Sequence, residues 1–300
     1  MAYNNIRPLD LRTSETVIIV RVPHSWAQPH VVNHGKHWRF YSRNSAGKYP
    51  LDISEVRAAF ALSETVVERI RLFRAERLCK ITAGETPVAI EKNAKIILHI
   101  VPFGAFDPTA KFDVSSLGES DDVWTFKPLG KSLVTGHRYN LDGLLTYTVS
   151  RDPLISSYLQ IFRNGIIETI DASTLRVYEG SSGAIPSVPF EERLIAALPN
   201  YLLIQERLGV APPLFIMLSL LEVSGFVLEV SRKLSPWGNR VYPIDRDALV
   251  LPEVTIESFA VEPSEVMRPI FDSVWNATGW PRSMNYNESG EWRKDINYPS

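Results

Sequence analysis

The sequence predicts an α+β fold, and three stretches carry that prediction. Residues 16–22, T-V-I-I-V-R-V, are rich in β-branched side chains and predict a buried strand. From Asp52 to about Thr82 the apolar residues recur at helical intervals, which predicts a long helix. Asn164-Gly165 lies between two alternating apolar runs, the strongest short-range hairpin signal in the chain.

The composition is that of an ordinary globular chain with ample apolar material for a core. The 300 residues are 45% hydrophobic and 22% charged. That length predicts two units, which we place at 1–84 and 85–300. The single cysteine, Cys79, excludes an intramolecular disulfide and a cysteine-rich zinc site. Its position late in a helix predicts a buried thiol.

Neither a secretory signal nor a membrane span is apparent in the sequence. The first residues, M-A-Y-N-N-I-R, have no apolar core. The longest apolar candidate, Leu214 to Leu221, is far shorter than the roughly 18 residues that a bilayer span requires. We therefore expect a cytoplasmic protein with no membrane partner.

The first elements read as three strands in succession. Pro23 ends the strand at 16–22, and two further prolines make the next segment a loop that leads into a short edge piece at His30–Val32. Residues 33–36 resemble a hairpin turn, and a strand begins at Trp38. We expect these strands to be antiparallel neighbours.

A basic turn and a capped helix follow. Residues 43–48, R-N-S-A-G-K, are short, polar and positive, as in an exposed turn. Asp52 and Glu55 have the spacing of a capping box, and Gly84 is placed to end the helix. Ser63 could divide the run into two helices. Arginines and lysines alternate with glutamates along it, which is typical of a solvated face.

The second unit opens with an apolar strand at 95–102, in which His99 is interpreted as a core histidine with satisfied hydrogen bonds. Residues 104–130 look irregular, and we interpret Arg163 and Glu168 as a cross-strand ion pair beside the Asn164-Gly165 turn. The remaining predicted elements are strands at 144–149 and 158–170, a helix at 191–208 interrupted or bounded near Pro199, apolar pieces at 214–221 and 225–230, a strand at 249–257, a helix at Pro263–Ala277 and a surface tail from Gly279.

Charge is divided unevenly along the chain. The overall net charge is -2, but residues 1–80 carry 13 Lys and Arg against 7 Asp and Glu. A basic first part joined to an acidic remainder suggests an anionic partner for the first part. The alternative is that the two parts neutralise each other across an interface.

Familiar catalytic motifs are missing from the sequence, which has no GxxxxGK, GxGxxG, HExxH or GxSxG pattern. His24, His30, His34 and His37 have no spacing typical of a metal site. Nothing brings the carboxylates of Asp142, Glu168, Asp245 and Asp247 together, and Asp245-Arg246-Asp247 reads as a local charge pair. We therefore predict no catalytic residue, no metal and no cofactor.

What remains is a basic strand and turn interleaved with aromatic residues. Arg39, Arg43 and Lys48 can neutralise phosphates, whereas Trp38 and Tyr41 can stack on bases or pack within the protein. The predicted nucleic-acid site therefore comprises Arg21, Arg39, Tyr41, Arg43, Asn44 and Lys48. The alternative is that this stretch is only a well-formed connection between a strand and a helix.

Two stretches of the first part together resemble the C-terminal half of the Schlafen AlbA-type domain of bacterial proteins. They are V-I-I-V-R-V-P-H-S-W and R-F-Y-S-R-N-S-A-G-K-Y-P-L-D-I-S-E-V-R-A-A-F. The pattern consists of an aromatic pair and an arginine at the end of a strand, then a turn and a helix that begins near a glutamate. Here those residues are Phe40, Tyr41, Arg43 and Glu55, within a match that covers roughly residues 5–62.

Three later stretches resemble the C-terminal region that accompanies this domain in some bacterial members. They are Y-L-Q-I-F-R-N-G-I-I-E, P-I-D-R-D-A-L-V-L-P-E and R-P-I-F-D-S-V-W-N-A-T-G-W-P-R-S. That likeness indicates kinship and implies no activity.

The resemblance implies a module that binds nucleic acid, DNA rather than RNA, and is non-catalytic in this chain. The family's domain normally begins with a glutamate-rich segment, a helix and further strands, and the sequence starts after them. Some animal relatives cleave RNA through carboxylates of that half, so the alternative is a nuclease that needs a missing segment or a partner. A third reading is a protein-interaction module. A missing half-sheet would leave an open strand edge near residues 16–22, through which the chain could form a homo-oligomer.

Overall fold

The architecture is that of a computed structural model, which describes residues 6–10, 16–20, 31–34, 37–44, 47–108, 110–118, 121–130, 133–151, 154–176, 183–230 and 242–294. The chain divides into two compact units, 1–66 and 67–300. This division falls inside a helix, whereas the sequence suggested a boundary at residue 84. Both units combine helices with antiparallel strands, which confirms the α+β fold class.

The first unit contains two small antiparallel sheets. Strands β1 (Ile6–Asp10) and β2 (Thr16–Val20) pair with each other, and β1 was missed by the sequence analysis. The second sheet comprises β3 (Val31–His34), β4 (His37–Asn44) and β5 (Gly47–Pro50). The pairing of the second and third predicted strands is confirmed, but within the described residues β2 pairs with β1 and not with β3.

The exposed turn predicted at 43–48 is too long, because both ends of this stretch belong to paired strands. Strand β4 continues to Asn44, and Arg43 lies directly opposite Lys48 in the antiparallel register. The sequence analysis stopped the strand too early because polar residues dominate this segment, although an exposed hairpin tolerates them on both strands.

Helix α1 (Ile53–Thr82) is continuous, so the expected break at Ser63 is wrong. The capping box is confirmed: the Glu55 amide donates to Asp52 Oδ1 at 2.8 Å, and the Asp52 amide donates to Glu55 Oε2 at 2.9 Å. The first of these bonds lowers the pKa of Asp52. Gly84, with a φ of 80°, ends the helix by donating its amide to the Ile81 carbonyl. Cys79 is exposed on α1, which corrects the expected buried thiol.

The second unit is organised around one large sheet. The strands of the second unit are β6 Lys95–Pro102, β7 Gly136–Tyr139, β8 Gly143–Arg151, β9 Leu154–Phe162, β10 Ile167–Asp171, β11 Ala184–Pro186, β12 Leu214–Leu221, β13 Val227–Glu229, β14 Ala248–Val250 and β15 Val254–Ile256. Its helices are α2 Ser115–Gly118, α3 Ser187–Arg207 and α4 Pro263–Ala277, with short 3-10 turns at Phe103–Phe106 and Asp121–Thr125.

The large sheet is antiparallel, in the order β14-β12-β6-β10-β9-β8-β7, and β15 also pairs with β12. Strands β11 and β13 form a separate parallel pair. The hairpin predicted at Asn164-Gly165 joins β9 to β10, with Gly165 at a φ of 84°. The sequence predicted α4 with its observed bounds, including Pro263 in the first turn.

Both faces of the large sheet are buried. On one face Ile96, Leu98 and Ile100 of β6 belong to a core shared with α3 and α4. On the other face Ile97 packs with Leu78 and Ile81 of α1. Successive strand residues point to opposite faces, so β6 supplies both cores.

Three expectations for the second unit are wrong. Pro199 lies inside α3, which begins at Ser187, and neither interrupts nor bounds the helix. The strand expected at 249–257 is two short strands, β14 and β15, on the same neighbour β12. The expected surface tail packs on the core, because Ser283, Asn285 and Tyr286 are buried.

Candidate functional site

The outer face of the β3-β4-β5 sheet carries most of the predicted nucleic-acid residues. Arg39, Tyr41 and Arg43 alternate along β4, so their side chains share one face of the sheet. Lys48 of β5 pairs with Arg43 and joins that face. All three cations are exposed, and Tyr41 is 36% exposed. We call these four residues the basic face.

The opposite face of this sheet packs on the start of α1. Phe40 meets Phe60 edge to face, with ring centroids 6.1 Å apart. The Tyr49 hydroxyl donates to Glu55 Oε1 at 3.1 Å, which ties β5 to the capping box. Phe40 and Tyr49 therefore serve packing, and the strand alternation turns the basic face outward.

The charges on the basic face are all positive. Among the residues that the structure describes, no carboxylate lies within ion-pairing distance of Arg39, Arg43 or Lys48. The Lys48 Nζ lies 5.5 Å from the Tyr41 ring centroid, a cation-π contact that orients both side chains. Three uncompensated cations around one aromatic ring can attract an anion and offer it a stacking surface.

Two predicted site residues cannot be placed on this face. Arg21 lies outside the described residues, as do His24 and His30. Asn44 is the last residue of β4, opposite Gly47, and its side chain is likewise outside the described part. Trp38 is 68% exposed but has the strand parity of Phe40, so it does not belong to the basic face.

A second charged cluster lies buried in the second unit and was missed by the sequence analysis. Glu168 of β10 is fully buried and accepts hydrogen bonds from Arg77 Nε at 2.7 Å, Arg77 Nη2 at 2.8 Å and the Tyr158 hydroxyl at 2.8 Å. His99 Nε2 lies 2.9 Å from Glu168 Oε2 and must carry the proton, since the carboxylate only accepts. We call these four residues the Glu168 cluster.

The Glu168 cluster corrects two expectations. Arg163 does not pair with Glu168; it donates to the Leu141 carbonyl at 3.3 Å. His99 is a core histidine as predicted, but only half satisfied, because its Nδ1 has no partner among the described residues. Burial raises the pKa of Glu168, but the bonds from Arg77 and His99 outweigh burial and lower it to about 2. Burial and the neighbouring Glu168 charge raise the pKa of Tyr158.

The arginines of α1 are more than a solvated face. Arg71 forms an ion pair with Glu253, and Arg74 donates to the Leu251 carbonyl at 2.8 Å. Together with Arg77, they attach the second half of the helix to the strands and loops of the large sheet. The interpretation of these arginines as part of a solvated face is therefore wrong, because their partners are distant in sequence and cannot be recognised from the local charge pattern.

Glu191 of α3 is a second carboxylate that is fully buried in the second unit. It accepts four hydrogen bonds from neutral donors: Trp275 Nε1 at 2.7 Å, Ser283 Oγ at 2.7 Å, Asn285 Nδ2 at 2.9 Å and Trp292 Nε1 at 2.7 Å. Burial raises the pKa of Glu191, and these four bonds oppose that rise without cancelling it. We call this set the Glu191 clasp, since three of its four donors belong to the C-terminal segment.

The described residues contain no group of three His, Cys, Asp or Glu side chains that could hold a metal ion. Asp245 pairs with Arg246 at 2.7 Å, the local charge pair that the sequence suggested. Within the described residues, no helix is long and apolar enough to cross a membrane.

No family model, curated protein or solved structure matches this chain.

Proposed function

We propose that the chain binds nucleic acid, DNA in preference to RNA, through the basic face, and that it acts in the cytoplasm without catalysis of its own. One observation carries this proposal. Arg39, Arg43 and Lys48 are exposed on one side of a small sheet, and the described part of the chain offers them no carboxylate partner. Phosphates are the natural counter-charge for such a surface.

The dimensions of the face suit a nucleic-acid backbone. From Arg39 to Arg43 the strand runs about 13 Å, at about 3.3 Å for each residue. Arg43 and Lys48 are a directly opposed pair, so their charges reach the same stretch of backbone from adjacent strands. Tyr41 lies between Arg39 and Arg43 along β4 and offers a ring for stacking on a base.

The packing on the other side of the sheet favours a binding role for this one. Phe40 and Tyr49 already anchor the sheet to α1. Neither Arg43 nor Lys48 is needed for that anchoring, so the fold itself gives no reason for two cations to face each other. The resemblance to the Schlafen AlbA-type domain points to the same function, and an open edge at β2 would let two copies associate.

The test is fluorescence anisotropy with labelled duplex DNA, single-stranded DNA and structured RNA over a salt series. The variant is Arg43→Ala/Lys48→Ala. We expect saturable binding by the wild type, and a slope of log K against log salt that is less steep in the variant by about 1.8 for duplex DNA. The reason is that two fewer phosphates are neutralised.

The matched control is Lys111→Ala/Arg282→Ala, which also removes two exposed positive charges but in the second unit. It should leave affinity and slope nearly unchanged. Equal losses in both variants would show that overall charge, not the basic face, determines binding. No binding by the wild type at low salt would refute the proposal.

A further inference from the structure

An open cavity of about 570 Å³ lies between α3 and the segment 125–130 in the second unit. Its volume is within the range of small-molecule sites. The residues that matter for the argument come from its two walls: Lys127, Pro128 and Gly130 from the segment, and Arg193, Ala196 and Asn200 from the helix. We call it the α3 cavity.

Hydrogen bonds hold the segment that forms one wall. The Tyr201 hydroxyl donates to the Lys127 carbonyl at 3.2 Å, and the Leu129 amide donates to Thr169 Oγ1 at 3.0 Å. Gly130 has a φ of 89°, and a Cβ there would lie 2.3 Å from the carboxyl carbon of Asp171. The segment therefore approaches the end of β10 as closely as only glycine permits.

The same carboxylate also orients the opposite wall. Asp171 is fully buried and accepts from the Ser173 amide at 2.9 Å, the Thr174 amide at 3.1 Å and both of their hydroxyls. Thr174 Oγ1 in turn accepts a hydrogen bond from Arg193 Nη1. The Asp171 carboxylate thus lies against Gly130 in one wall and positions the Arg193 guanidinium of the other wall through Thr174.

The α3 cavity carries two cations and no compensating anion among the described residues that line it. Neither Lys127 nor Arg193 has a carboxylate partner in the described part of the chain. The nearby negative charge of Asp171 is occupied by its own four donors. Ala196 and Ala197 add a small apolar surface beside the two cations.

We infer that the α3 cavity binds a small phosphate monoester, with the phosphate between Lys127 and Arg193 and the organic part over Ala196 and Ala197. A phosphate monoester carries nearly two negative charges at neutral pH, which matches two cations. Arginine presents a planar fork of donors suited to phosphate oxygens, and lysine adds a point charge. This inference is independent of nucleic-acid binding by the basic face.

The experiment is isothermal titration calorimetry of the full chain with inorganic phosphate, adenosine 5′-monophosphate and adenosine at constant ionic strength. We expect saturable binding of the two phosphates and binding of adenosine at least about tenfold weaker, because charged hydrogen bonds contribute most of the affinity. Lys127→Ala and Arg193→Ala should each weaken binding of the monophosphate by about tenfold.

Lys111→Ala, an exposed lysine that does not line the cavity, is the matched control and should bind as the wild type does. Lys127→Ala keeps the test decisive if Arg193→Ala disturbs folding, since the Lys127 side chain is exposed. Arg43→Ala/Lys48→Ala should also leave phosphate binding intact, which separates this site from the basic face.

Three results would overturn the inference. The first is no saturable binding of either phosphate or the monophosphate. The second is adenosine binding as tightly as the monophosphate, which would remove the role of the phosphate. The third is unchanged affinity in both Lys127→Ala and Arg193→Ala, which would place the binding elsewhere.

Discussion

Glu168 and Glu191 are both fully buried carboxylates in the second unit, yet the protein compensates them in opposite ways. Glu168 accepts a bidentate pair of hydrogen bonds from the Arg77 guanidinium, together with bonds from the His99 imidazole and the Tyr158 hydroxyl. Glu191 receives four neutral donors and no cation. The pKa of the first is lowered and that of the second is raised.

The difference shows what each carboxylate attaches. Glu168 holds the second half of α1 on one face of the large sheet through charge, in the layer where Leu78 and Ile81 pack. Glu191 holds the C-terminal segment on α3 through geometry, since two indoles, an amide and a hydroxyl must all point at one group. In this protein the attachment at Glu168 has one dominant partner, Arg77, whereas the attachment at Glu191 is distributed over four hydrogen bonds.

The largest expected effect comes from removing the single dominant partner. Arg77→Ala leaves Glu168 buried without its guanidinium, and we expect a loss of about 3–5 kcal/mol in the free energy of unfolding. Urea unfolding followed by circular dichroism measures it. Arg69→Ala, an exposed arginine on the same helix, is the control and should change stability by less than about 0.5 kcal/mol. A loss below about 1 kcal/mol for Arg77→Ala would mean that the ion pair does not dominate the cluster.

An intermediate effect is expected from removing one of several neutral donors. Trp292→Phe deletes one hydrogen bond of the Glu191 clasp and leaves three, so we expect a loss of about 1–3 kcal/mol. Hydrogen exchange should locate the change in the C-terminal segment. Trp124→Phe, at a half-exposed tryptophan, is the matched control. If Trp292→Phe cost as much as Arg77→Ala, the contrast between the two carboxylates would fail.

The sequence predicted what is encoded locally. The capping box of Asp52 and Glu55, the hairpin at Asn164-Gly165 and the bounds of α4 all depend on residues within a few positions of one another. The alternation that gathers Arg39, Tyr41 and Arg43 on one face is local as well. The position of Lys48 opposite Arg43 was missed because residues 43–48 were interpreted as a turn.

The buried clusters could not be predicted in this way. Arg77 and Glu168 are 91 residues apart in sequence, and Glu191 and Trp292 are 101 apart. Only tertiary packing brings them together, so charges on α1 looked like a solvated face and the indole of Trp292 looked like part of a surface tail. The walls of the α3 cavity have the same origin, since the contacts of Gly130 with Asp171 and of Arg193 with Thr174 both join residues that are distant in sequence.

A pH dependence with opposite signs at the two carboxylates is also expected. The lowered pKa of Glu168 gives stability that is present above about pH 4.5 and is lost as the pH falls towards 2. The raised pKa of Glu191 works the other way: stability is fully present below its unfolded pKa of about 4.5 and declines as the pH rises through the folded pKa. Unfolding free energies measured from acid to neutral pH should show both trends. Glu191→Gln should flatten the decline above pH 4.5 and keep the acid loss, whereas Glu168→Gln should do the reverse. A decline that persists unchanged in Glu191→Gln would show that Glu191 is not its source and that the pKa of this carboxyl is not raised in the folded protein.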